Sequence, residues 1–215
     1  ATKGRFGGGF VYTNRESLSL GVVLGIGDLV EEGPPLEAPG FLDDFKKRPE
    51  VARLFRGGET LEYSAHVIAE RGFGGLGPFY GDGILIAGDA AGLALNLGLT
   101  VRGMEYAMAS GALAARTILK TREAGSFSAE KLALYRRLLE ESFVLKDFET
   151  FKHAPEILEN KRLFRYYPEW AGALFRDLYG VPAGPKEKLF RTLKRHLPPS
   201  DWWRLAKDLK SLMKL

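Results

Sequence analysis

The residues most suited to chemistry form one short segment, Gly88-Asp89-Ala90-Ala91-Gly92. An apolar run over residues 84–87 precedes it and predicts a short buried strand. A glycine at position 88 lets a ligand approach the backbone where a Cβ atom would block it. The amides after Asp89 begin a predicted helix and suit an anion such as a pyrophosphate, whereas the carboxylate itself suits a hydroxyl donor. The same residues also fit an ordinary turn in which Asp89 caps a helix.

No other set of residues forms a recognisable catalytic or metal-binding pattern, so the sequence leaves the catalytic residues unknown and predicts no metal site. His66, His153 and His196 lie in separate segments without the spacing of metal ligands. No Gly-x-Ser-x-Gly turn of a serine hydrolase occurs. The chain has no cysteine, which excludes disulfides, thiolate metal sites and cysteine-ligated iron–sulfur clusters within it. This composition also fits a reducing compartment.

Positive charge is concentrated in the second half of the chain. The net charge is +4; residues 1–100 contain 9 Lys/Arg and 13 Asp/Glu, and residues 101–215 contain 22 and 14. Such a surface suits an acidic protein, anionic lipid or nucleic acid, and it also fits a simple solvated helical face. No leader peptide is recognisable, and no apolar run approaches the roughly 20 residues of a membrane-spanning helix. We therefore expect a cytoplasmic protein.

The C-terminal segment combines aromatic, basic and apolar residues. Trp202 and Trp203 lie among Lys and Arg residues, and the apolar residues that follow fall near helical spacing. This pattern suits a helix lying at the inner face of the cell membrane. Aromatic residues among basic ones also suit single-stranded nucleic acid, and packing of a terminal helix is the third interpretation. We predict peripheral membrane contact and no nucleic-acid partner.

The elements that must position these residues mix short strands with helices, which predicts an α+β fold. The first part reads as a loop or a close backbone approach at glycines 7–9, a β-hairpin of strands 11–13 and 17–24, and a surface loop over 27–40. Helical residues around 41–45 and 50–56 and a strand at 60–68 follow. The rest reads as a Gly-rich irregular stretch at 70–83, a helix over 101–122, a helix from Ser128 to about Asp147, and short helices broken by prolines.

The helix predicted over 101–122 carries a stripe of very small residues. Gly103, Ala107, Gly111 and Ala115 recur every four positions, so they share one face. Glycine costs about 1 kcal/mol relative to alanine inside a helix. Two glycines on one stripe therefore predict that another element packs closely against this face.

Two motifs together resemble a known flavoprotein family. Gly88-Asp89-Ala90-Ala91-Gly92 and Asn96-Leu97-Gly98-Leu99-Thr100-Val101-Arg102-Gly103-Met104 resemble the second flavin motif of FixC-type dehydrogenases, relatives of electron-transfer flavoprotein–quinone oxidoreductase. The likeness continues at residues 8–21 and 61–66, and in the tail at 164, 166–169 and 176–178. It spans essentially the whole chain in order and spacing. Geranylgeranyl reductases and flavin hydroxylases share the Gly-Asp motif but not the rest.

The resemblance implies a binding site for FAD. In the family, the Gly-Asp segment binds the ribityl and pyrophosphate part of the cofactor, and the Asn-Leu-Gly-Leu-Thr segment lies against the isoalloxazine ring. Asp89 would then bind a ribityl hydroxyl, and Arg102 would place a charge near the ring or pair with a carboxylate. The implied cofactor-binding residues are Gly88, Asp89, Ala90, Gly92, Asn96, Gly98, Leu99, Thr100 and Arg102.

The family's N-terminal Gly-x-Gly-x-x-Gly unit has no counterpart, since the glycines between positions 4 and 9 lack a preceding strand and a following helix. The resemblance therefore implies the C-terminal half of an FAD-dependent oxidoreductase. That enzyme would pass electrons from an electron-transfer flavoprotein to a quinone or a ferredoxin-like partner. Residues 1–80 would belong to a β-rich substrate or quinone domain, 81–125 would complete the FAD domain, and 126–215 would form a helical region.

We expect the isolated chain to be inactive and to carry little or no FAD, because half a site lacks the preorganisation that gives tight binding. Two other functions stay open. One is a non-catalytic docking module without a cofactor of its own, and the other is a fragment of a prenyl (geranylgeranyl) reductase.

Overall fold

The structure is a computed structural model that describes residues 1–32, 38–98, 100–197 and 199–215. The strands are β1 Gly7–Thr13, β2 Leu18–Leu24, β3 Tyr80–Gly81, β4 Ile84–Leu85, β5 Leu95–Asn96 and β6 Val101–Arg102. The helices are α1 Ile26–Glu32, α2 Ala38–Lys46, α3 Pro49–Ala52, α4 Met104–Glu123, α5 Ala129–Glu141, α6 Phe143–Thr150, α7 Ala154–Leu158, α8 Tyr166–Tyr179, α9 Leu189–His196 and α10 Pro199–Leu212.

Helices and small antiparallel strand pairs make this an α+β chain, as predicted. By contact clustering it divides into two compact units. Unit 1 contains residues 1–64 and 158–207, and unit 2 contains residues 65–157 and 208–215. Within the described ranges, no helix combines the length and the apolar character that crossing a bilayer requires.

The hairpin of unit 1 confirms the predicted pairing. Strands β1 and β2 are antiparallel, with Gly7 opposite Leu24 and Thr13 opposite Leu18. Of the two alternatives predicted for residues 7–9, the loop is wrong, because these residues belong to β1, whereas the close approach is found. Their glycines serve close packing instead: a Cβ atom on Gly9 would lie 2.6 Å from the ring of Phe45, which α2 carries.

The surface loop predicted over 27–40 is also wrong, because α1 and the start of α2 lie there; residues 33–37 fall outside the described residues. Contacts to distant residues fix both helices. The Asp28 carboxylate in α1 accepts a hydrogen bond from the Phe6 amide at 2.7 Å, and Phe41 in α2 is buried. Prolines and glycines predicted a loop locally, but these tertiary contacts decide the outcome.

The strand predicted at 60–68 does not form. Leu61, Tyr63 and Val67 are 75%, 62% and 76% exposed, and no described strand pairs with this segment. A strand needs a neighbour to accept and donate its backbone hydrogen bonds. The helix predicted at 50–56 is likewise shorter, since α3 ends at Ala52.

Unit 2 has one apolar core between its helices and its short strands. The most buried side chains, at 0–1% exposure, include Leu93, Leu95, Tyr106, Tyr135, Leu139, Val144 and Phe148. The helix predicted over 101–122 is α4, which begins at Met104. The single helix predicted from Ser128 to Asp147 is two helices, because the Ser142 hydroxyl accepts the Val144 amide and starts α6.

Candidate cofactor site

The Gly-Asp segment forms a single turn rather than the start of a long helix. Residues Gly88–Ala91 make one turn of 3-10 helix, which ends at Gly92 in the left-handed conformation (φ 76°). The strands β5 and β6 follow before α4 begins at Met104. The helix expected directly after Asp89 is therefore wrong. The helix-terminus argument for a pyrophosphate at these amides loses its basis.

The strand predicted at 84–87 is only partly correct. Strand β4 covers Ile84–Leu85, pairs with β3, and leaves Ile84 55% exposed. Ala87 then leads into the turn in extended conformation. Contacts with helix α4, described next, therefore hold the Gly88–Ala91 turn.

Helix α4 holds the turn from behind. Gly88 has φ 60°, and a Cβ atom there would lie 3.3 Å from the Ala107 Cβ. Its amide donates a hydrogen bond to the buried Ser110 hydroxyl at 3.0 Å. The glycine therefore suits its backbone conformation and its contact with α4, and the approach of a ligand at this position stays a prediction.

The Asp89 carboxylate is not used to cap a helix. Its side chain is 49% exposed, and the turn has no side-chain cap. In the described part of the chain its ionic neighbour is His66, whose Nε2 lies 3.9 Å away and whose side chain is 74% exposed. The capping interpretation is therefore wrong for this residue. A free carboxylate beside an imidazole can accept a hydrogen bond from a ligand hydroxyl.

The β5–β6 hairpin places Asn96 and Gly98 in a tight turn. The Asn96 Oδ1 accepts the Gly98 amide at 2.8 Å, and its Nδ2 donates to the Glu70 Oε2 at 3.0 Å. The other Glu70 oxygen is buried and has no hydrogen-bond partner in the described structure. The Thr100 side chain is exposed, while its carbonyl accepts the Leu97 amide at 2.9 Å. Leu99 lies outside the described residues.

Arg102 pairs with carboxylates, which was one of the two alternatives left open by the sequence. Its Nε lies 2.6 Å from Glu105 and its Nη1 lies 2.6 Å from Asp147. The guanidinium also lies 4.8 Å from the centre of the Tyr106 ring, whose hydroxyl donates to Asp147 at 3.0 Å. We call Arg102, Glu105, Tyr106 and Asp147 the Arg102 network.

The Arg102 network shifts the acidity of its members. The hydrogen bond from Arg102 lowers the pKa of Glu105. Burial raises the pKa of Tyr106 far above its usual value, and its hydrogen bond to the Asp147 carboxylate raises it further. Tyr106 therefore stays protonated over the physiological range, and the network keeps a fixed set of donors and acceptors.

Two interactions bring the segment at 66–70 to the implied site residues. His66 faces Asp89, and Glu70 holds Asn96. Arg102 lies on the same hairpin as Asn96 but is directed into its own network. Ala90 is exposed beside Asp89, and Gly92 ends the turn. The described residues contain no group of three or more His, Asp or Glu that could hold a metal ion.

Sequence reasoning missed five residues that shape this site: Glu70, Glu105, Tyr106, Ser110 and Asp147. Arg102 and Glu105 are three apart, a spacing at which side chains on a helical turn meet. Asp147 lies 45 residues from Arg102, and Ser110 lies 22 residues from Gly88. No local pattern identifies partners at such separations.

Comparison with known proteins gives the site a family context. No family model matches the chain. The protein FixC of Escherichia coli K12 is 44% identical over 207 residues, which cover 96% of this chain and 48% of FixC. FixC of Azorhizobium caulinodans is 38% identical, again over 96% of this chain and 48% of the relative. The probable electron transfer flavoprotein-quinone oxidoreductase YdiS of E. coli K12 is 40% identical over 95% of this chain and 47% of its own length.

These similarities place the matched region in one family. The chain belongs to the FixC family and corresponds to the C-terminal half of its members. It spans about half the length of the curated relatives it matches.

Proposed function

We propose that this chain is the C-terminal part of an FAD-dependent electron-transfer oxidoreductase. The observation that carries the proposal is the Asp89 carboxylate, which is half-exposed and not used to cap a helix, at the position where the family motif requires a hydroxyl acceptor. FAD would supply the redox chemistry. Asp89 would orient it through a hydroxyl, and the backbone from Gly98 to Thr100 would contact its ring system. The names of the relatives, FixC and a probable electron transfer flavoprotein-quinone oxidoreductase, support the same role.

Arg102 would act in this site by holding the hairpin in place. Both of its bonded nitrogens are directed to carboxylates, and its side chain is 29% exposed. A guanidinium that is paired with two carboxylates presents no net positive charge to a neighbouring ring. Its contribution would be the position of residues 96–102 relative to α6. Gly88, Ala90 and Gly92 would contribute the shape of the turn that presents Asp89.

The N-terminal half of the enzyme would pack on an exposed face of α4. Met104, Met108 and Leu119 are 67%, 71% and 53% exposed, and Gly111 and Ala115 on the same side are exposed as well. Among the described residues, only half of the predicted small-residue stripe is in contact with another element. Gly103 and Ala107 lie by the Gly88 turn, whereas the space beside Gly111 is open. Contiguous exposed apolar residues typically mark an interaction site. We refer to this surface as the α4 face.

The remaining assignments follow from the family. We propose an electron-transfer flavoprotein as the electron donor, and a quinone or a ferredoxin-like protein as the acceptor. In the whole protein, residues 1–80 would form part of the substrate or quinone domain, 81–125 would complete the FAD domain, and 126–215 would form the helical region. Trp202 and Trp203, which are 54% and 79% exposed, would contact the cytoplasmic face of the membrane.

The role of Asp89 can be tested by measuring FAD affinity. The experiment joins this chain to the N-terminal half of E. coli K12 FixC and follows flavin fluorescence during titration. Replacing Asp89 by alanine removes a hydrogen bond to a charged acceptor, which contributes about 1.5–3 kcal/mol. We expect affinity to fall by about 10- to 100-fold. Asp43→Ala, which removes an exposed carboxylate from α2, is the control. Equal affinity of the Asp89 variant and the control would reject the role.

A further inference from the structure

The carboxylate of Glu70 has one oxygen in use and one without a partner. Its Oε2 accepts a hydrogen bond from the Asn96 Nδ2 at 3.0 Å, whereas its Oε1 is buried and has no hydrogen-bond partner in the described structure. A buried acceptor that forms no hydrogen bond costs stability. Such a group is typical of positions that serve function rather than stability.

Glu70 determines which way the Asn96 side chain faces. The amide group of an asparagine has an acceptor oxygen on one side and a donor nitrogen on the other. Asn96 Oδ1 accepts the Gly98 amide at 2.8 Å, which leaves Nδ2 facing Glu70. A carboxylate only accepts hydrogen bonds, so it excludes the flipped amide, in which Oδ1 would face Glu70. Glu70 therefore holds Asn96 in the orientation that closes the turn at Gly98.

The segment that carries Glu70 is fixed at its end by helix α7. Gly72 is buried and has φ 64°, and a Cβ atom there would lie 2.5 Å from the Pro155 Cγ. Residues 65–71 form no helix or strand and no backbone–backbone hydrogen bond with other described residues. Within the described ranges, the hydrogen bond that joins this segment to the β5–β6 hairpin is the one between Glu70 and Asn96.

We propose that Glu70 is a positioning residue for FAD, acting through Asn96 on the turn at Gly98. This inference rests on the proposed function, in which the backbone from Gly98 to Thr100 contacts the ring system. Two successive hydrogen bonds connect Glu70 to that backbone, since its Oε2 holds Asn96 and Asn96 holds the Gly98 amide. The same carboxylate places a negative charge beside the turn, which disfavours added negative charge on the ring.

Flavin fluorescence titration tests the positioning role in the complex of this chain with the N-terminal half of E. coli K12 FixC. Glu70→Met removes the acceptor for Asn96, so the amide can turn away from Gly98. We expect FAD affinity to fall about tenfold, the equivalent of one hydrogen bond. Glu70→Gln keeps one acceptor oxygen but makes a neutral bond of about half the strength, so affinity should fall only about threefold. Glu62→Gln, at an exposed position, is the control and should leave affinity unchanged.

A double-mutant cycle tests whether Glu70 acts through Asn96. Asn96→Ala removes the group that connects Glu70 to the turn. Glu70→Met should therefore have no further effect on FAD affinity in the Asn96→Ala variant. An equal effect of Glu70→Met with and without the Asn96 side chain would overturn this route.

The reduction potential of the bound flavin gives a readout that a purely structural role would not change. Glu70→Gln removes a negative charge at nearly constant shape, so the potential should become more positive, whereas Glu62→Gln should leave it unchanged. In urea unfolding of the chain alone, the two variants should share one midpoint. The neutral amide costs less to bury than a carboxylate, which offsets its weaker bond to Asn96. A lower midpoint for Glu70→Gln with unchanged affinity and potential would assign Glu70 a structural role and overturn the proposal.

Failure of this inference can be told apart from failure of the proposed function. If the parent complex binds FAD and the Glu70→Met complex binds it equally well, the proposed function stands and the positioning role of Glu70 is wrong. If the parent complex binds no FAD, the proposed function fails and this inference fails with it.

Discussion

The Arg102 network makes a quantitative prediction for the stability of unit 2. Asp147 accepts hydrogen bonds from Arg102 at 2.6 Å and from Tyr106 at 3.0 Å. Asp147→Ala leaves the hydroxyl of the fully buried Tyr106 without an acceptor, which costs about 1–3 kcal/mol. The lost charged bond to Arg102 adds a smaller amount, because Arg102 keeps Glu105 and is 29% exposed. We expect a total loss of about 2–4 kcal/mol.

Urea unfolding followed by far-ultraviolet circular dichroism measures this loss. Tryptophan fluorescence provides an internal comparison, because Trp170, Trp202 and Trp203 all lie in unit 1. Glu149→Ala is the matched control, since it removes an exposed carboxylate from the same helix. We expect Asp147→Asn to be intermediate, because its amide oxygen still accepts from Tyr106. A transition midpoint for Asp147→Ala equal to that of the control would refute the reasoning.

Three further predictions follow from the same region. The pKa of Tyr106 is raised in the folded state. The contribution of this residue to the free energy of unfolding is therefore present below the unfolded pKa of about 10 and is lost as pH rises above it. Tyr106→Phe should flatten this alkaline loss in urea titrations. Ser110→Ala leaves the Gly88 amide without an acceptor and should cost about 1–3 kcal/mol in the same assay. Ser64→Ala, at an exposed position, should change little. Gly111→Leu should stabilise the isolated chain, because leucine is the better helix former and the site is open. The same change should weaken co-purification with the FixC N-terminal half more than Gly111→Ala does.

Local patterns were sufficient for the elements whose stability is largely local. The hairpin follows from alternation in residues 17–24 and from Asn14, whose amide donates to the hydroxyls of Ser17 and Ser19. Helix α4 and the start of α5 were also predicted from local patterns, whereas the break between α5 and α6 at Ser142 was not. The strand predicted at 60–68 has the right alternation but no described neighbour, and a strand cannot be completed by its own residues alone. Its exposed apolar side chains fit packing against the half of the relatives that this chain does not cover.

The sequence selected candidate site residues, whose role in cofactor binding stays a prediction, but it did not indicate their geometry. The motif identified Asp89 and Arg102, and the structure shows how they differ: one carboxylate stays exposed, and the guanidinium is bound on two sides. Small residues carry no periodicity, so the 3-10 turn at Gly88–Ala91 could not be distinguished from the start of a longer helix. The deciding contacts, to Ser110 and Ala107, come from a helix that begins later in the chain.

The visible absorption spectrum tests the central claim most directly. It is recorded for the chain purified alone and for the chain purified together with the N-terminal half of E. coli K12 FixC. We predict no stoichiometric flavin absorbance for the chain alone, and flavin absorbance corresponding to one FAD per complex when both halves are present. Stoichiometric flavin on the chain alone, or a stable complex of the two halves without flavin, would contradict the proposal that this chain contributes half of an FAD site.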